Sequence, residues 1–170
     1  SIKAMSEGKA KIFIGLGGNF ISATPDTDFT ASAIKKLDLS VQISTKLNRS
    51  HLITGKMALI LPCLGRTELD LINGEEQFVT VENSMGFVHS SRGNLKPASN
   101  SLKSEPYIIA NIAKHSISIE NSIDWDTLVS NYDNIRDVIE DCIEGFVNFN
   151  DRVKNNSGFC CIAVSYTHLT

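Results

Sequence analysis

A short apolar segment that runs directly into glycine is the feature that most constrains the fold of this chain. Residues 10–16 have the composition of a buried strand, and Gly17, Gly18 and Asn19 follow at once. Residues 39–43 are expected to form a second strand. The segment between them is predicted to be helical, because apolar side chains recur at helical spacing: Phe29, Ala33, Ile34 and Leu37. This order predicts a βαβ unit, which has parallel strands and a right-handed crossover.

A second crossover extends the same pattern. Residues 44–56 are polar and irregular, and residues 57–62 form a further apolar strand. Strands that are apolar throughout suit a sheet that is covered on both faces. The chain is therefore predicted to have an α/β fold with a doubly wound, mostly parallel, Rossmann-like sheet.

The second half of the chain has a different character. Residues 63–103 are rich in Gly, Ser and Asn, and they contain one predicted hairpin, with strands at 78–82 and 87–90. So long a stretch with little regular structure is usually functional or covered by other protein. Pro106 suits the first turn of a helix that opens at residues 104–106, and a last helical region is expected over about 124–143.

Composition excludes several classes of function. Sixteen basic and nineteen acidic residues give a net charge of -3, so the chain lacks the basic excess that nucleic-acid binding requires. No segment approaches the ~20 apolar residues that cross a bilayer. The four cysteines and four histidines show no spacing typical of a metal site, and we expect no metal ligand within the chain. Thiols without a pairing pattern indicate a reducing, cytoplasmic compartment.

Three places offer groups that could bind a ligand. The turn at residues 15–19 follows a strand, at the edge where open α/β sheets bind ligands, although it could equally be a plain connector. The loop 44–51 combines two cations with hydroxyl groups, an amide and an imidazole, which suits anion and polyol recognition. Glu105 opens a helix, where a carboxylate either stabilises the helix terminus or accepts N–H groups from a guanine edge.

Binding of a nicotinamide dinucleotide is the obvious alternative, and the sequence disfavours it. The fingerprint GxGxxG needs a third glycine where Phe20 stands. It also needs an acidic residue after the second strand, where Ser44 and Thr45 stand instead.

Several long segments of the chain resemble formate-dehydrogenase-like molybdopterin oxidoreductase alpha subunits. The similar segments occur in the same order, and Glu105 and Trp125 also fall where that family has an acidic residue and a tryptophan. The segments are GLGGNFISATPD (15–26), STKLNRSHL (44–52), LILPCLGRTE (59–68) and FVTVENSMG (78–86). The resemblance extends from about the first residue to about residue 159.

The resemblance implies a large enzyme that holds molybdenum or tungsten between two molybdopterin guanine dinucleotides. A 4Fe-4S cluster, the metal ligand and the catalytic residues are expected in the missing part of the parent protein. In this chain the resemblance implies cofactor binding by Asn19, Ser44 and Glu105, with Glu105 in place of an Asp and Thr45 where relatives have another Asp. Glycine amides of the first turn suit the pyrophosphate and ribose, so the expected cofactor-binding residues are Gly17, Gly18, Asn19, Ser44, Thr45 and Glu105.

These observations define the expected organisation and function. Residues 1–159 are expected to be a partial molybdopterin guanine dinucleotide-binding domain, and residues 160–170 a non-native tail. The expected function is to bind the guanine dinucleotide part of the cofactor of an oxidoreductase, with the isolated fragment inactive. The expected partners are the remaining domains of the parent enzyme and a small-molecule substrate, with no nucleic acid and no membrane. The alternative is a non-catalytic nucleotide-binding or scaffolding module.

Overall fold

The computed structural model of the chain describes residues 1–117, 123–155 and 158–160, which divide into two units. The first unit contains residues 1–64 and 101–105, and the second contains residues 65–100 together with the chain from residue 106 onward. The predicted non-native tail, residues 160–170, lies outside the described residues apart from Cys160.

A three-stranded parallel sheet forms the centre of the first unit. Its strands are β1 (Ile12–Leu16), β2 (Leu39–Ser44) and β3 (Met57–Pro62), in the order β1-β2-β3. Ile14 is level with Val41, and Val41 is level with Leu59. The prediction of parallel strands joined by crossovers is therefore confirmed.

Three short helices pack against one face of this sheet. They are α1 (Ile2–Ser6), α2 (Phe20–Ala23) and α3 (Thr27–Ile34). Asp26 caps α3, since its carboxylate accepts a hydrogen bond of 2.8 Å from the Phe29 N–H. The buried core of the unit contains Met5, Ile21, Ala33, Ile34 and Leu37, with Phe13 of the sheet packed against it. Burial of each of the larger side chains, those of Met5, Ile21, Ile34 and Leu37, stabilises the fold by roughly 1.5–3 kcal/mol.

The described sheet does not show the predicted doubly wound arrangement. A doubly wound sheet carries helices on both faces, whereas α1 to α3 cover the Phe13 face. The second crossover contains only a 3₁₀ turn, Arg49–Leu52, because its sequence is polar and lacks apolar residues at helical spacing. On the opposite face, five aliphatic side chains of β1 and β3 are between 44% and 62% exposed: Ile12, Ile14, Leu16, Met57 and Leu59.

Antiparallel strands characterise the second unit. A short ribbon joins β4 (Leu71–Ile72) to β5 (Glu75–Glu76). A separate sheet has the order β6-β7-β8, with β6 at Val79–Glu82, β7 at Phe87–Ser91 and β8 at Phe159–Cys160. The pairing of β6 with β7 confirms the predicted hairpin.

Four helices complete the described structure: α4 (Glu105–Ser116), α5 (Trp125–Ser130), α6 (Tyr132–Cys142) and α7 (Phe149–Asn155). The helix predicted to open at residues 104–106 is confirmed as α4. The predicted helical region over about 124–143 is confirmed, and the extended backbone of Asn131 divides it into two helices, α5 and α6. The Asn131 side chain accepts a hydrogen bond of 2.9 Å from the Asp133 N–H and so caps α6.

A buried arginine lies at the centre of the second unit. Arg136 is 3% exposed, and its guanidinium lies 3.9 Å from the centre of the Phe78 ring. It donates hydrogen bonds to Asn150 Oδ1 (2.7 Å), to the Phe78 carbonyl (3.1 Å) and to Asp133. The surrounding apolar core contains Phe78, Val88, Phe149, Val153 and Phe159. None of the described helices is long and apolar enough to span a bilayer.

Candidate functional site

Five of the six predicted site residues lie at the carboxyl ends of β1 and β2. Gly17, Gly18 and Asn19 come directly after β1, Ser44 ends β2, and Thr45 follows it. Parallel strands bring these ends to the same edge of the sheet. Open α/β sheets bind their ligands at this edge.

The two glycines after β1 adopt backbone conformations that other residues rarely adopt. Gly17 has φ +63° and Gly18 has φ +66°, and among the described residues, apart from the glycine's own chain neighbours, no atom lies within 4 Å of a Cβ placed on either residue. Glycine is favoured at both positions because the backbone is left-handed, and the absence of a side chain leaves open space beside the turn. The Gly17 N–H donates a hydrogen bond of 2.8 Å to the Ile43 carbonyl, which ties the turn to β2.

Asn19 is joined to the loop after β2 by a buried serine. Ser50 is 1% exposed, and its Oγ accepts a hydrogen bond of 3.0 Å from the Ile21 N–H. The same hydroxyl donates to Asn19 Oδ1 over 3.0 Å. Both hydrogen bonds link residues 29 or more positions apart in the chain, so the loops after β1 and β2 form one structural element.

Asn48 and His51 give the second loop its shape. The side chain of Asn48 accepts from the Ser50 N–H (2.9 Å) and donates to the Gly18 carbonyl (2.7 Å). The Asn48 N–H donates to His51 Nδ1 over 3.0 Å, which completes a capping box around the 3₁₀ turn. These roles of Asn48 and His51 were not predicted from the sequence, although an Asn followed three residues later by a hydrogen-bond acceptor is a signal for such a box.

The remaining polar groups of this loop are more accessible. The Ser44 hydroxyl donates a hydrogen bond of 2.8 Å to the Lys46 carbonyl, and Ser44 itself is half-buried. Thr45, Lys46 and Arg49 are exposed. The loop 44–51 contains two cations and no carboxylate, so its electrostatic potential favours an anion.

Glu105 lies beyond the end of β3. Cys63, directly after β3, forms a parallel bridge with Lys103, and the Leu64 N–H donates to the Lys103 carbonyl over 2.9 Å. Glu105 follows two residues later as the first residue of α4, and it is half-buried. Because neighbouring strands lie about 4.8 Å apart and Lys103 lies on the side of β3 away from β2, Lys103 and the end of β1 are separated by three strand spacings, or roughly 14 Å. The structure therefore brings all six predicted residues to one sheet edge.

Two buried donors of the first unit have no hydrogen-bond acceptor among the described residues. They are Gln42 Nε2, on the helix-covered face of β2, and His51 Nε2. Gln42 is 4% exposed and His51 is 7% exposed. Within the described part of the chain, no group of three or more His, Cys, Asp or Glu residues could hold a metal ion.

Comparison with known proteins matches the chain to one region of longer proteins. It is 46% identical over 159 residues to the uncharacterized oxidoreductase Rv2900c of Mycobacterium tuberculosis, and 44% identical over 159 residues to protein YdeP of Escherichia coli. These matches cover 94% of this chain but only 20% and 21% of the two relatives. The chain is homologous to one region of an oxidoreductase. No family model matches it.

Proposed function

We propose that this chain is the segment of a molybdopterin-dependent, formate-dehydrogenase-like oxidoreductase that binds the guanine dinucleotide part of the cofactor. One observation carries the proposal: the glycine turn, the hydroxyl-rich loop and Glu105 lie at the carboxyl edge of one parallel sheet, where such sheets bind nucleotides. Homology to a region of a protein that is named an oxidoreductase supports the proposal that the parent protein is an oxidoreductase.

Each part of the edge suits a different part of a guanine dinucleotide. The open space beside Gly17 and Gly18 lets a phosphate approach the backbone. Asn19, Ser44 and Thr45 offer polar groups to the ribose and the pyrophosphate. Glu105 carries a carboxylate, which accepts hydrogen bonds from the guanine N1–H and exocyclic amine.

The chain's own contribution is binding and orientation. The cofactor, when bound with molybdenum or tungsten, supplies the two-electron redox chemistry, while the protein holds it in place. The metal ligand, the 4Fe-4S cluster and the residues that contact a small-molecule substrate belong to the rest of the parent enzyme. The isolated chain is therefore inactive in this proposal.

We also propose that the three strands are part of a doubly wound sheet. The exposed face of β1 and β3 carries aliphatic side chains, which is typical of a parallel sheet covered on both faces. The curated relatives are about five times as long as the matched region. Other segments of the parent protein would supply the helices that cover this face.

Guanine preference provides the test of the binding proposal. The 170-residue chain is titrated with guanosine diphosphate and, separately, with adenosine diphosphate, while amide chemical shifts are followed by NMR. We expect shifts at residues 17–19, 44–45 and 105 and tighter binding of the guanine nucleotide. Glu105→Ala should remove this preference, which corresponds to roughly tenfold or more for hydrogen bonds to a carboxylate.

The matched control is Glu75→Ala, which removes an exposed carboxylate from the second unit and should leave the preference unchanged. Absence of binding, or shifts confined to other residues, would contradict the proposal. Guanine-selective binding by the chain, together with a parent protein that contains neither molybdenum nor tungsten, would favour the alternative of a non-catalytic nucleotide-binding module.

A further inference from the structure

We propose that Ser50 is a positioning residue that fixes the orientation of the Asn19 amide, so that Asn19 presents its Nδ2 donor to the ligand. The ligand group opposite Asn19 must then be a hydrogen-bond acceptor oxygen, from a phosphate or from a ribose. This inference rests on the proposed function, because it specifies which group of the nucleotide the first loop recognises.

The hydrogen bonds of the Ser50 hydroxyl determine the orientation. Its oxygen accepts from the Ile21 N–H over 3.0 Å. Its single proton needs an acceptor, because Ser50 is 1% exposed and a buried hydroxyl proton without a partner is costly. Asn19 Oδ1, at 3.0 Å, provides that acceptor. If the amide were reversed, Nδ2 would face the hydroxyl and the serine proton would lose this acceptor.

The position of Ser50 is itself held by the second loop. Its N–H donates to Asn48 Oδ1 over 2.9 Å, and Asn48 Nδ2 reaches the Gly18 carbonyl over 2.7 Å. The hydroxyl therefore cannot follow a rotated Asn19 amide without breaking contacts on both loops. Asn19 is only half-buried, so part of the residue is accessible to a ligand.

A pair of substitutions of equal size isolates the hydroxyl. Ser50→Thr keeps it, whereas Ser50→Val replaces it with a methyl group, and both variants add the same bulk to a buried position. Binding of guanosine diphosphate, inorganic pyrophosphate and guanosine to the 170-residue chain is measured by calorimetry. We expect Ser50→Val to bind guanosine diphosphate roughly three- to tenfold more weakly than Ser50→Thr. The same loss with pyrophosphate would identify a phosphate oxygen, and the same loss with guanosine alone a ribose oxygen.

The same pair in an Asn19→Ala background separates positioning from a general structural effect. The Thr and Val forms should then bind guanosine diphosphate equally, even if they still differ in thermal stability through the Ile21 contact. An affinity difference that persists without the Asn19 side chain would overturn the inference. Asn19→Asp retains the Oδ1 acceptor and removes the donor, so it should bind pyrophosphate or guanosine more weakly than wild type. Equal binding would also overturn it.

Two further measurements keep the outcome decisive. If Ser50→Val does not fold, judged by circular dichroism, Ser50→Cys and Ser50→Ala replace the pair, with the same expected order. The Asn19 side-chain NH₂ resonances of the ligand-free chain should differ between the hydroxyl and methyl variants, and identical resonances would refute the inference. Failure of wild type to bind any nucleotide would overturn the proposed function, whereas normal binding with equal Thr and Val affinities would overturn only the role of Ser50.

Discussion

At the scale of single residues, Arg136 shows how the second unit combines charge with an apolar core. Its guanidinium lies on the Phe78 ring and is hydrogen-bonded to Asn150, to the Phe78 carbonyl and to Asp133. A buried ion pair does not by itself add much stability, because both charges lose their hydration. Removing one partner is costly, because the other charge and the buried acceptors are left unpaired.

We expect Arg136→Ala to lower the free energy of unfolding by about 3–5 kcal/mol, measured by urea denaturation. The control is Lys154→Ala, which removes the other cation that contacts Asp133. The Lys154 side chain is 41% exposed, so this change should cost only about 0–1 kcal/mol. Equal losses in the two variants would show that burial does not determine the importance of Arg136.

Gln42 carries a buried amide nitrogen with no acceptor among the described residues. An unpaired buried donor loses its hydration without compensation, and an apolar side chain of similar size avoids that cost. We therefore expect Gln42→Met to raise the free energy of unfolding by about 1 kcal/mol. The measurement is again urea denaturation, compared with wild type, and a destabilised variant would show that Nε2 has a partner in solution.

At the scale of elements, a carboxylate organises the irregular segment that follows β3. Glu68 accepts hydrogen bonds of 2.6 Å from the Gly65 N–H and 2.6 Å from the Ala98 N–H. Both hydrogen bonds lower the pKa of Glu68 below its ordinary value of 4.5, and the bond from Gly65 has the larger effect. The segment 63–103, for which the sequence predicted one hairpin and otherwise little regular structure, thus contains a specific contact across 30 residues.

This contact predicts a pH dependence of stability. Because the pKa of Glu68 is lower in the folded chain, the ionised carboxylate stabilises the fold above pH 4.5, and this stabilisation is lost as the pH falls below that value. Thermal melting of wild type and Glu68→Gln should therefore differ most near pH 7, and the two melting temperatures should converge below pH 4.5. A difference that does not depend on pH would contradict this role.

The helical region from Asp124 to Cys142 illustrates what sequence patterns capture at this scale. Apolar residues continue at helical spacing through the whole region, so periodicity alone predicts one helix. The extended backbone of Asn131 interrupts it, because the Asn side chain competes with the helix for backbone N–H groups. The β6–β7 hairpin and the start of α4 were predicted correctly, since their turn and proline signals are local.

Some features of the candidate site could likewise be predicted from local sequence, whereas others depend on contacts between distant residues. The glycines after β1 and the position of Glu105 could be identified from the sequence, because strand ends and helix starts leave local patterns. The hydrogen bonds that join Gly18 to Asn48 and Asn19 to Ser50 could not, because they connect residues 30 or 31 positions apart. Tertiary packing buries Ser50, which is 1% exposed, and the polar sequence of its loop gives no sign of this burial.

At the scale of the whole molecule, the exposed sheet face determines how the isolated chain should behave. The aliphatic side chains of Ile14 and Leu59 lie level with buried Val41 on the same face, and both are exposed. Contiguous apolar surface of this kind promotes association. The described sheet has three strands, and the doubly wound arrangement that the sequence predicts requires further segments to cover this face.

We therefore expect the isolated chain to associate in a concentration-dependent manner, measured by sedimentation velocity. The double variant Ile14→Lys and Leu59→Lys should increase the monomeric fraction, because charged side chains oppose burial of the face. Asp28→Lys, on the surface of α3, is the control for a change of charge alone. An unchanged monomeric fraction in the double variant would show that another surface mediates association.

The most direct test of the central claim is the metal and guanine nucleotide content of the full-length parent enzyme. The purified wild type, Asn19→Ala, Glu105→Ala and the control Glu75→Ala are compared by elemental analysis for molybdenum and tungsten, and by nucleotide release. We expect both site variants to retain less metal and less guanine nucleotide than wild type, and the control to match wild type. Full content in both site variants would contradict the claim that this sheet edge holds the guanine dinucleotide.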